Sequence, residues 1–362
     1  MKKSLIALAV LAASGAAMAQ SSVTLFGIVD ATYAYGSGSA GNKSQLTNSG
    51  YNSSRLGFRG VEDLGGGMSA SFWLEAGVNN DNGSGANTST NNQASGSTGG
   101  GGLTFNRRST VSLNGGFGEV RLGRDYTPQF WNLTVFDPFG TNGVGTTQTM
   151  GIGSIATPAA YAGGGYTNVR ASNSIGYFLP GNLGGFYGQV QYYMGENLSG
   201  TATKKDGNGL ALRAGYANGP INVALAFSDT KNVALGNIKT VNIGGQYDLG
   251  VAKIMAHYNQ DNNNRADRAD GKGFLIGGLI PVGAGEVRLS YSTYKAEVVG
   301  ADPRTNKLAL GYVHNLSKRT ALYATYAHVS NKNGAGTALN GASLTSANDN
   351  SNGYDFGIRH SF

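Results

Sequence analysis

The chain has no cysteine and only 7 prolines in 362 residues. After residue 20, no stretch approaches the roughly 20 consecutive apolar residues that a membrane-spanning helix needs. Each absence removes a class of protein. Without cysteine there is no disulfide framework, no thiolate metal site and no cysteine nucleophile. Scarce proline suits a backbone whose N–H groups are committed to strand ladders. The missing apolar run excludes spanning helices, but not spanning strands, in which only every second residue needs to be apolar. Chemistry-bearing groups are thin as well. Charged residues make up 13% of the chain, and its four histidines, His257, His314, His328 and His360, stand apart. No metal site or cofactor is expected, and the absence of a G-x-S-x-G elbow argues against a hydrolase. The 27 basic and 20 acidic residues give a net charge of +7. The basic residues do not form the aromatic-interleaved stripe of a nucleic-acid binder.

What is abundant is glycine. It accounts for 59 residues, more than twice the roughly 7% share of an average protein. The chain opens on MKKSLIALAVLAASGAAMAQ, with two lysines, an apolar run from Leu5 to Ala13, and the small-x-small triplet Ala17-Met18-Ala19. This reads as a secretory signal peptide over residues 1–19, removed to leave Gln20 first. Its loss takes two lysines and no acid, and lowers the formal charge to +5.

Beyond it, segments of period 2 recur to the end of the chain. In SVTLFGIVDATYAY, Val23, Leu25, Gly27, Val29, Ala31, Tyr33 and Tyr35 share one parity. The same alternation carries MSASFWLEA, GLALRAGYA, INVALAFS, EVRLSYS, NKLALGYV and TALYATYAH. Each has the length a tilted strand needs to cross a bilayer. Short turns such as ANGP (217–220) and DLG (248–250) alternate with long Gly/Asn/Ser loops at 36–52, 78–104, 194–208, 261–271, 295–305 and 330–351. Sixteen strands result. The fold expected is all-β: a 16-stranded antiparallel transmembrane β-barrel over residues 20–362.

Charge decides which parity faces where. Glu286 and Arg288 share the parity of Ser290 in EVRLSYS, and Arg55 and Arg59 oppose Leu56 and Phe58 in SRLGFRG. A one-residue slip would turn those arginines to lipid at about 2–4 kcal/mol each near the midplane. The apolar parity therefore faces lipid and the charged parity a wet interior, lined also by Tyr187, Gln189, Gln191 and Tyr193. The last ten residues, GYDFGIRHSF, alternate to a terminal phenylalanine. A barrel has no edges only when its last strand pairs with its first, so this segment is expected to close against SVTLFGIVDATYAY. Outward Gly27 and Ala31 are small for a lipid face, marking either a neighbouring subunit or a bend.

With SSVTLFGIVDA, SRLGFRGVEDLGGGMSASFWLE, GGFGEVRLGRDYTP, NLSKRTALYATYAH and the terminal GIRHSF in order along it, the chain resembles the general porins of Gram-negative outer membranes, in their β-proteobacterial form. The resemblance covers residues 20–362. It implies an outer-membrane homotrimer, each barrel a passive diffusion pore for small hydrophilic solutes and ions. The partners it implies are outer-membrane lipid and lipopolysaccharide, and a barrel-assembly machinery that reads Phe362 on the last strand. It also implies a third loop folded into the lumen, here 125–167. That loop has a signature of its own: it is the longest stretch without alternation, and it holds Phe130, Trp131, Val135, Phe136 and Phe139, which a solvated loop would not need. The 78–104 loop corresponds to the arm that reaches over a neighbour in such trimers.

Arginines gather on either side of the inward loop: Arg55, Arg59, Arg107, Arg108, Arg121, Arg124 and Arg170. The candidate acids are Glu75 and Glu119 on strands, with Asp125 and Asp137 on the loop. In the family a basic ladder faces acids across the constriction. Arg55, Arg108, Arg124 and Arg170 are the candidates for that ladder, and Asp137 for the opposing acid. Rings of arginine favour anions, so a weak anion preference is expected. A substrate-specific channel and a non-conducting structural or adhesin barrel remain as alternatives. Two further motifs carry less. GSGSAG (36–41) lacks the helix a nucleotide loop needs. DNNNRADRADG (261–271) places Arg265 where a calcium loop needs an oxygen ligand.

Overall fold

In the computed structural model the described residues are 22–98, 101–147, 169–265, 269–298, 300–341 and 344–362. Residues 1–19, expected from the sequence to be a leader, and the loop portion at 148–167 lie outside them. Sixteen strands form the wall: β1 (Ser22–Gly38), β2 (Arg55–Gly65), β3 (Met68–Asn79), β4 (Arg108–Gly115), β5 (Gly118–Tyr126), β6 (Arg170–Phe178), β7 (Phe186–Tyr193) and β8 (Gly209–Asn218). They continue as β9 (Ile221–Thr230), β10 (Ile238–Asp248), β11 (Lys253–Asn263), β12 (Asp270–Val282), β13 (Gly285–Glu297), β14 (Arg304–Asn315), β15 (Thr320–Lys332) and β16 (Ser351–Ser361). Each pairs antiparallel with its sequence neighbour.

The ring closes where the sequence demands it. β16 pairs with β1 from Ile28↔Ser361 to Gly38↔Ser351. The terminal residue adds one more bridge: the Phe362 N–H donates to the Gly27 carbonyl at 3.1 Å, and the Gly27 N–H donates to the Phe362 carbonyl at 3.1 Å. The Phe362 ring then lies where a side chain on Gly27 would stand, and the Arg55 carbonyl would be 2.8 Å from such a Cβ. Gly27 is therefore small to admit the last ring of its own chain.

Outward residues are those the alternation names: Leu25, Val29, Leu212, Leu225, Leu289, Leu310 and Phe356 are all exposed on the barrel surface. Inward residues are polar and mostly covered, among them Ser228, Asn242, Asn259 and Ser290. Tight turns link the strands at one end. Between β2 and β3, Gly65, Gly66 and Gly67 adopt φ of 78°, 62° and 77°, three successive left-handed positions that only glycine takes without strain.

One long connection departs from the sequence expectation. Residues 36–52 are not a free loop: Gly41–Asn48 pairs with the upper half of β1, from Gly38↔Gly41 to Ala31↔Asn48, and extends the wall. GNKSQLTN is polar on both parities except at Leu46, so no alternation announced a strand. The 78–98 part of the second long connection also makes contacts with the rim of its own barrel. Buried Asn92 donates to the carbonyls of Ser172, Met194 and Gly207 at 3.1, 3.0 and 3.3 Å, across the ends of β6 to β8.

After β5 the chain turns into the lumen. Helix α1 (Pro128–Val135) begins on proline, whose fixed φ and missing N–H suit a first turn. Asn132 anchors it, donating to the Ala224 carbonyl at 3.1 Å and to Asn242 Oδ1 at 2.9 Å, while Asn242 donates to the Gln129 carbonyl at 3.1 Å. Phe136 fills the space over Gly244 in β10, and Pro138 would stand 2.8 Å from a Cβ on Gly277 in β12. Phe139 and Val144 bury with Ala309, Ala327, Val329 and Leu339. Each buried phenylalanine contributes about 2 kcal/mol relative to exposure. The segment thus crosses the lumen from β5 to the opposite wall and is anchored at both ends.

Gly27→Val is expected to lower the folded fraction of refolded barrel, at a cost of about 1–3 kcal/mol from overpacking. The heat-modified gel mobility of unboiled protein measures it.

Candidate functional site

Strands β2 to β8 and helix α1 enclose a section of lumen of about 450 Å³. Five arginines line it, Arg55, Arg107, Arg108, Arg121 and Arg213, against two carboxylates, Glu75 and Asp125. The strands dictate this. Arg55 and Glu75 sit on inward parities of β2 and β3, and Glu75 pairs with Arg108 across β3 and β4. Adjoining it is a second space of about 400 Å³ that shares Trp73, Arg108 and Arg121 and adds Arg59 and Glu119.

The acids are interleaved with the arginines on one wall. Glu75 Oε1 meets Arg107 Nε at 2.6 Å and Arg55 Nη1 at 3.4 Å, and its other oxygen accepts from the Trp73 indole at 3.0 Å. Arg121 grips Glu119 through two bonds of 2.8 and 2.9 Å and reaches Asp125 with its third nitrogen. Two guanidinium groups 4 Å apart repel by about 1 kcal/mol in water and about 4 at an effective dielectric of 20, so interleaved acids make the cluster tolerable. Arg213 has no carboxylate partner among the described residues, and Arg108 is only loosely paired. Its Nε donates to Thr110 at 3.1 Å and lies 3.7 Å from Asp125, and its two terminal nitrogens have no protein hydrogen-bond partner among the described residues.

Aromatic rings hold these guanidinium planes. Arg108 lies 4.6 Å from the Trp73 ring centre and Arg59 5.1 Å from it, with Phe26 edge-on at 5.0 Å. Arg121 stacks on Phe178 at 3.9 Å, Arg170 on Tyr126 at 4.4 Å, and Arg213 on Tyr187 at 4.7 Å. Each contact contributes about 0.5–2 kcal/mol and fixes the plane of the charge. Arg107 and Arg170 both donate to the Tyr126 hydroxyl, at 3.2 and 3.0 Å.

Three of the sequence candidates lie elsewhere than expected. Arg124 is on the outward parity of β5, with Val120 and Leu122, and donates to the Asn106 carbonyl at 2.6 Å and to Ser172 Oγ at 2.8 Å beneath the second loop. It does not join the cluster. Asp137 does not face the arginines. It is buried, accepting backbone N–H bonds from Phe139, Thr141 and Thr147 at 3.0, 3.0 and 3.1 Å, and it folds the loop tip. Burial pushes its carboxyl up, which those N–H groups and the nearby Lys307 ammonium oppose. Asp125 belongs to the end of β5 rather than to the loop, and with Glu75 and Glu119 it stands on the same wall as the arginines instead of across from them.

Sequence reasoning missed Arg213, which donates to Asn132 at 3.0 Å and to Tyr187 at 3.1 Å. The signal was present, since Arg213 opposes Leu212 and Ala214 in β8. Tyr187 and Gln189 line the cavity as expected of inward residues. Among the described residues, no group of three or more histidine, aspartate or glutamate side chains could hold a metal ion.

A closed antiparallel barrel with a lipid-facing apolar surface and a charged, loop-narrowed lumen is a channel-forming outer-membrane protein. The chain belongs to the Gram-negative porin family, which matches residues 5–334. It is 41% identical to outer membrane porin protein 32 of Delftia acidovorans over the full length of both chains. It is 29% identical to an outer membrane porin protein of Bordetella pertussis, over 91% of this chain and 95% of that one. Among solved structures it resembles an anion-selective porin from Comamonas acidovorans, with a TM-score of 0.82 and 37% identity over 95% of this chain and all of that one. It is thus a porin of the cell outer membrane, a water-filled passive pore for small hydrophilic solutes and ions.

Glu75→Gln is expected to raise the Cl−:K+ permeability ratio about twofold. A unit charge about 8 Å from a passing ion in water contributes about 0.5 kcal/mol, of opposite sign for Cl− and K+, and salt screening over a Debye length of about 10 Å roughly halves the sum. The reversal potential across a KCl gradient reads the change.

Proposed function

We propose that this porin prefers anions and that its preference arises at the lumen section between β2–β8 and α1. The observation that carries the reading is the excess of five guanidinium groups over two carboxylates around one narrow space. Arg108, Arg121 and Arg213 lie over aromatic rings, so a passing anion meets donors already in place and the protein need not rearrange. Binding stays weak because Glu75 and Asp125 cancel part of the charge, and conduction requires an ion that can leave. Arg55, Arg107, Arg108, Arg121 and Arg213 form the basic wall, with Arg59 continuing it into the adjoining space and Arg170 bracing it through Tyr126. The resemblance to an anion-selective porin supports the same sign.

Three further assignments complete the proposal. Residues 1–19 export the chain and are removed. Phe362, bonded to Gly27 at the seam, is the terminal signal read by the barrel-assembly machinery. The functional unit is a homotrimer in contact with lipopolysaccharide.

Planar-bilayer recording in asymmetric KCl tests the selectivity. The reversal potential is expected to take the sign of Cl− permeation, and Arg108→Ala is expected to lower the Cl−:K+ ratio about two- to threefold, again on the Coulomb scale of one charge in water. A wild-type pore that passes K+ better than Cl− would refute the reading.

A further inference from the structure

The charge excess explains a preference for anions, but it leaves the aromatic lining of the same space unexplained. Trp131 projects from helix α1 into the cavity with 39% of its surface exposed, although its helix neighbours Phe130 and Leu133 are buried. Phe178 and Tyr187 line the cavity too. An exposed indole in a water-filled pore carries an unfavourable hydration term of about 25 cal/mol per Å² of apolar surface. Chloride gains nothing from such a surface, and a serine or threonine at 131 would narrow the lumen without that term.

Rings and guanidinium groups alternate around the space. Tyr126 lies 5.5 Å from Trp131, ring centre to ring centre, and Arg170 covers Tyr126. Arg121 and Arg213 cover one face each of Phe178 and Tyr187. The donors left over are the two terminal nitrogens of Arg108 and one each of Arg55, Arg107 and Arg213, which have no protein hydrogen-bond partner among the described residues. A guanidinium edge offers the two parallel N–H donors that a carboxylate accepts. An exposed ring lining the same space offers a face to a planar apolar body. At about 450 Å³ the space admits one small ring with its carboxylate and still leaves room for water.

We infer that this section of the lumen is a weak binding site for small planar aromatic carboxylates of benzoate size, the carboxylate meeting Arg108 and its neighbours and the ring lying against Trp131. The inference rests on the anion-preferring reading and adds a solute class to it. The site holds its solute loosely enough to release it, so it speeds entry at low solute concentration and saturates at high concentration.

The test compares benzoate with cyclohexanecarboxylate, which has the same charge and carbon count but no aromatic ring, as blockers of chloride current through single pores in a planar bilayer. Benzoate is expected to block at about fivefold lower concentration, the scale of one aromatic pair contact. Trp131→Ala is expected to bring the two blockers together while the pore stays conducting and keeps a reversal potential of anionic sign, and Trp131→Phe to restore the difference. Phe178→Leu, away from the loop, gives a second variant and is expected to narrow the difference. Equal block by the two acids in the wild-type pore overturns the inference, as does an undiminished benzoate advantage in Trp131→Ala. A reversal potential of cationic sign would instead strike the anion reading, so the two failures are distinct.

Discussion

Inside a bilayer no water is at hand to satisfy a backbone N–H or carbonyl, and each unpaired group costs several kcal/mol. That constraint governs this chain from end to end. It requires a ladder without edges, so the final strand has to be complete to its last residue and pair with the first. The bridge between Phe362 and Gly27 is where the requirement is met. Once the ring is closed, strand geometry leaves each side chain two directions only, lipid or lumen. The apolar parity takes the first, and away from the strand ends the charged residues take the second. A wet, charged interior follows from the hydrogen-bond problem of the backbone.

The lumen then becomes a problem of electrostatics in a confined space. Arginines from β2, β4, β5 and β8 converge there because inward positions of neighbouring strands are neighbours in space, whatever their separation in sequence. Their repulsion is contained by Glu75, Glu119 and Asp125 on the same wall and by the ring faces against Arg108, Arg121 and Arg213. The inward segment plays a different part from the acidic partner the family resemblance implied. Its acid, Asp137, is used up in folding the tip, and what it presents to the arginines is Asn132 and the indole of Trp131. The narrow section is therefore cationic on one side and neutral and aromatic on the other.

Much of this was legible in the sequence, for a physical reason. The strand period is 2, a lipid face tolerates no exceptions near the midplane, and so the parity of Leu212, Leu289 or Leu310 could be read directly. The closing role of GYDFGIRHSF followed from the same logic. What escaped was whatever depends on side chains meeting across the ring. Arg213 lies far from Arg124 along the chain, yet it is Arg213 that lines the cavity with Arg108. Arg124 itself carried the contrary sign, sharing the parity of Leu122, and closeness to the loop in sequence is no guide to facing the lumen. Asp137 is two residues before a turn N–H, the spacing of a carboxylate that caps its own backbone. The hairpin at Gly41–Asn48 was silent because it lies above the membrane, where nothing enforces alternation.

The absence of cysteine makes the central claim open to a direct measurement. Single cysteines at Gln189 and Val190, adjacent in β7, sit on opposite faces of the wall: Gln189 lines the lumen and Val190 is exposed on the outer surface. In reconstituted membranes, a small charged thiol reagent in the aqueous phase should modify Gln189→Cys and spare Val190→Cys. A fluorophore at 190, and not at 189, should be quenched by brominated acyl chains. If both positions react alike with the aqueous reagent, or both are quenched alike by lipid, the two-faced closed wall described here is wrong.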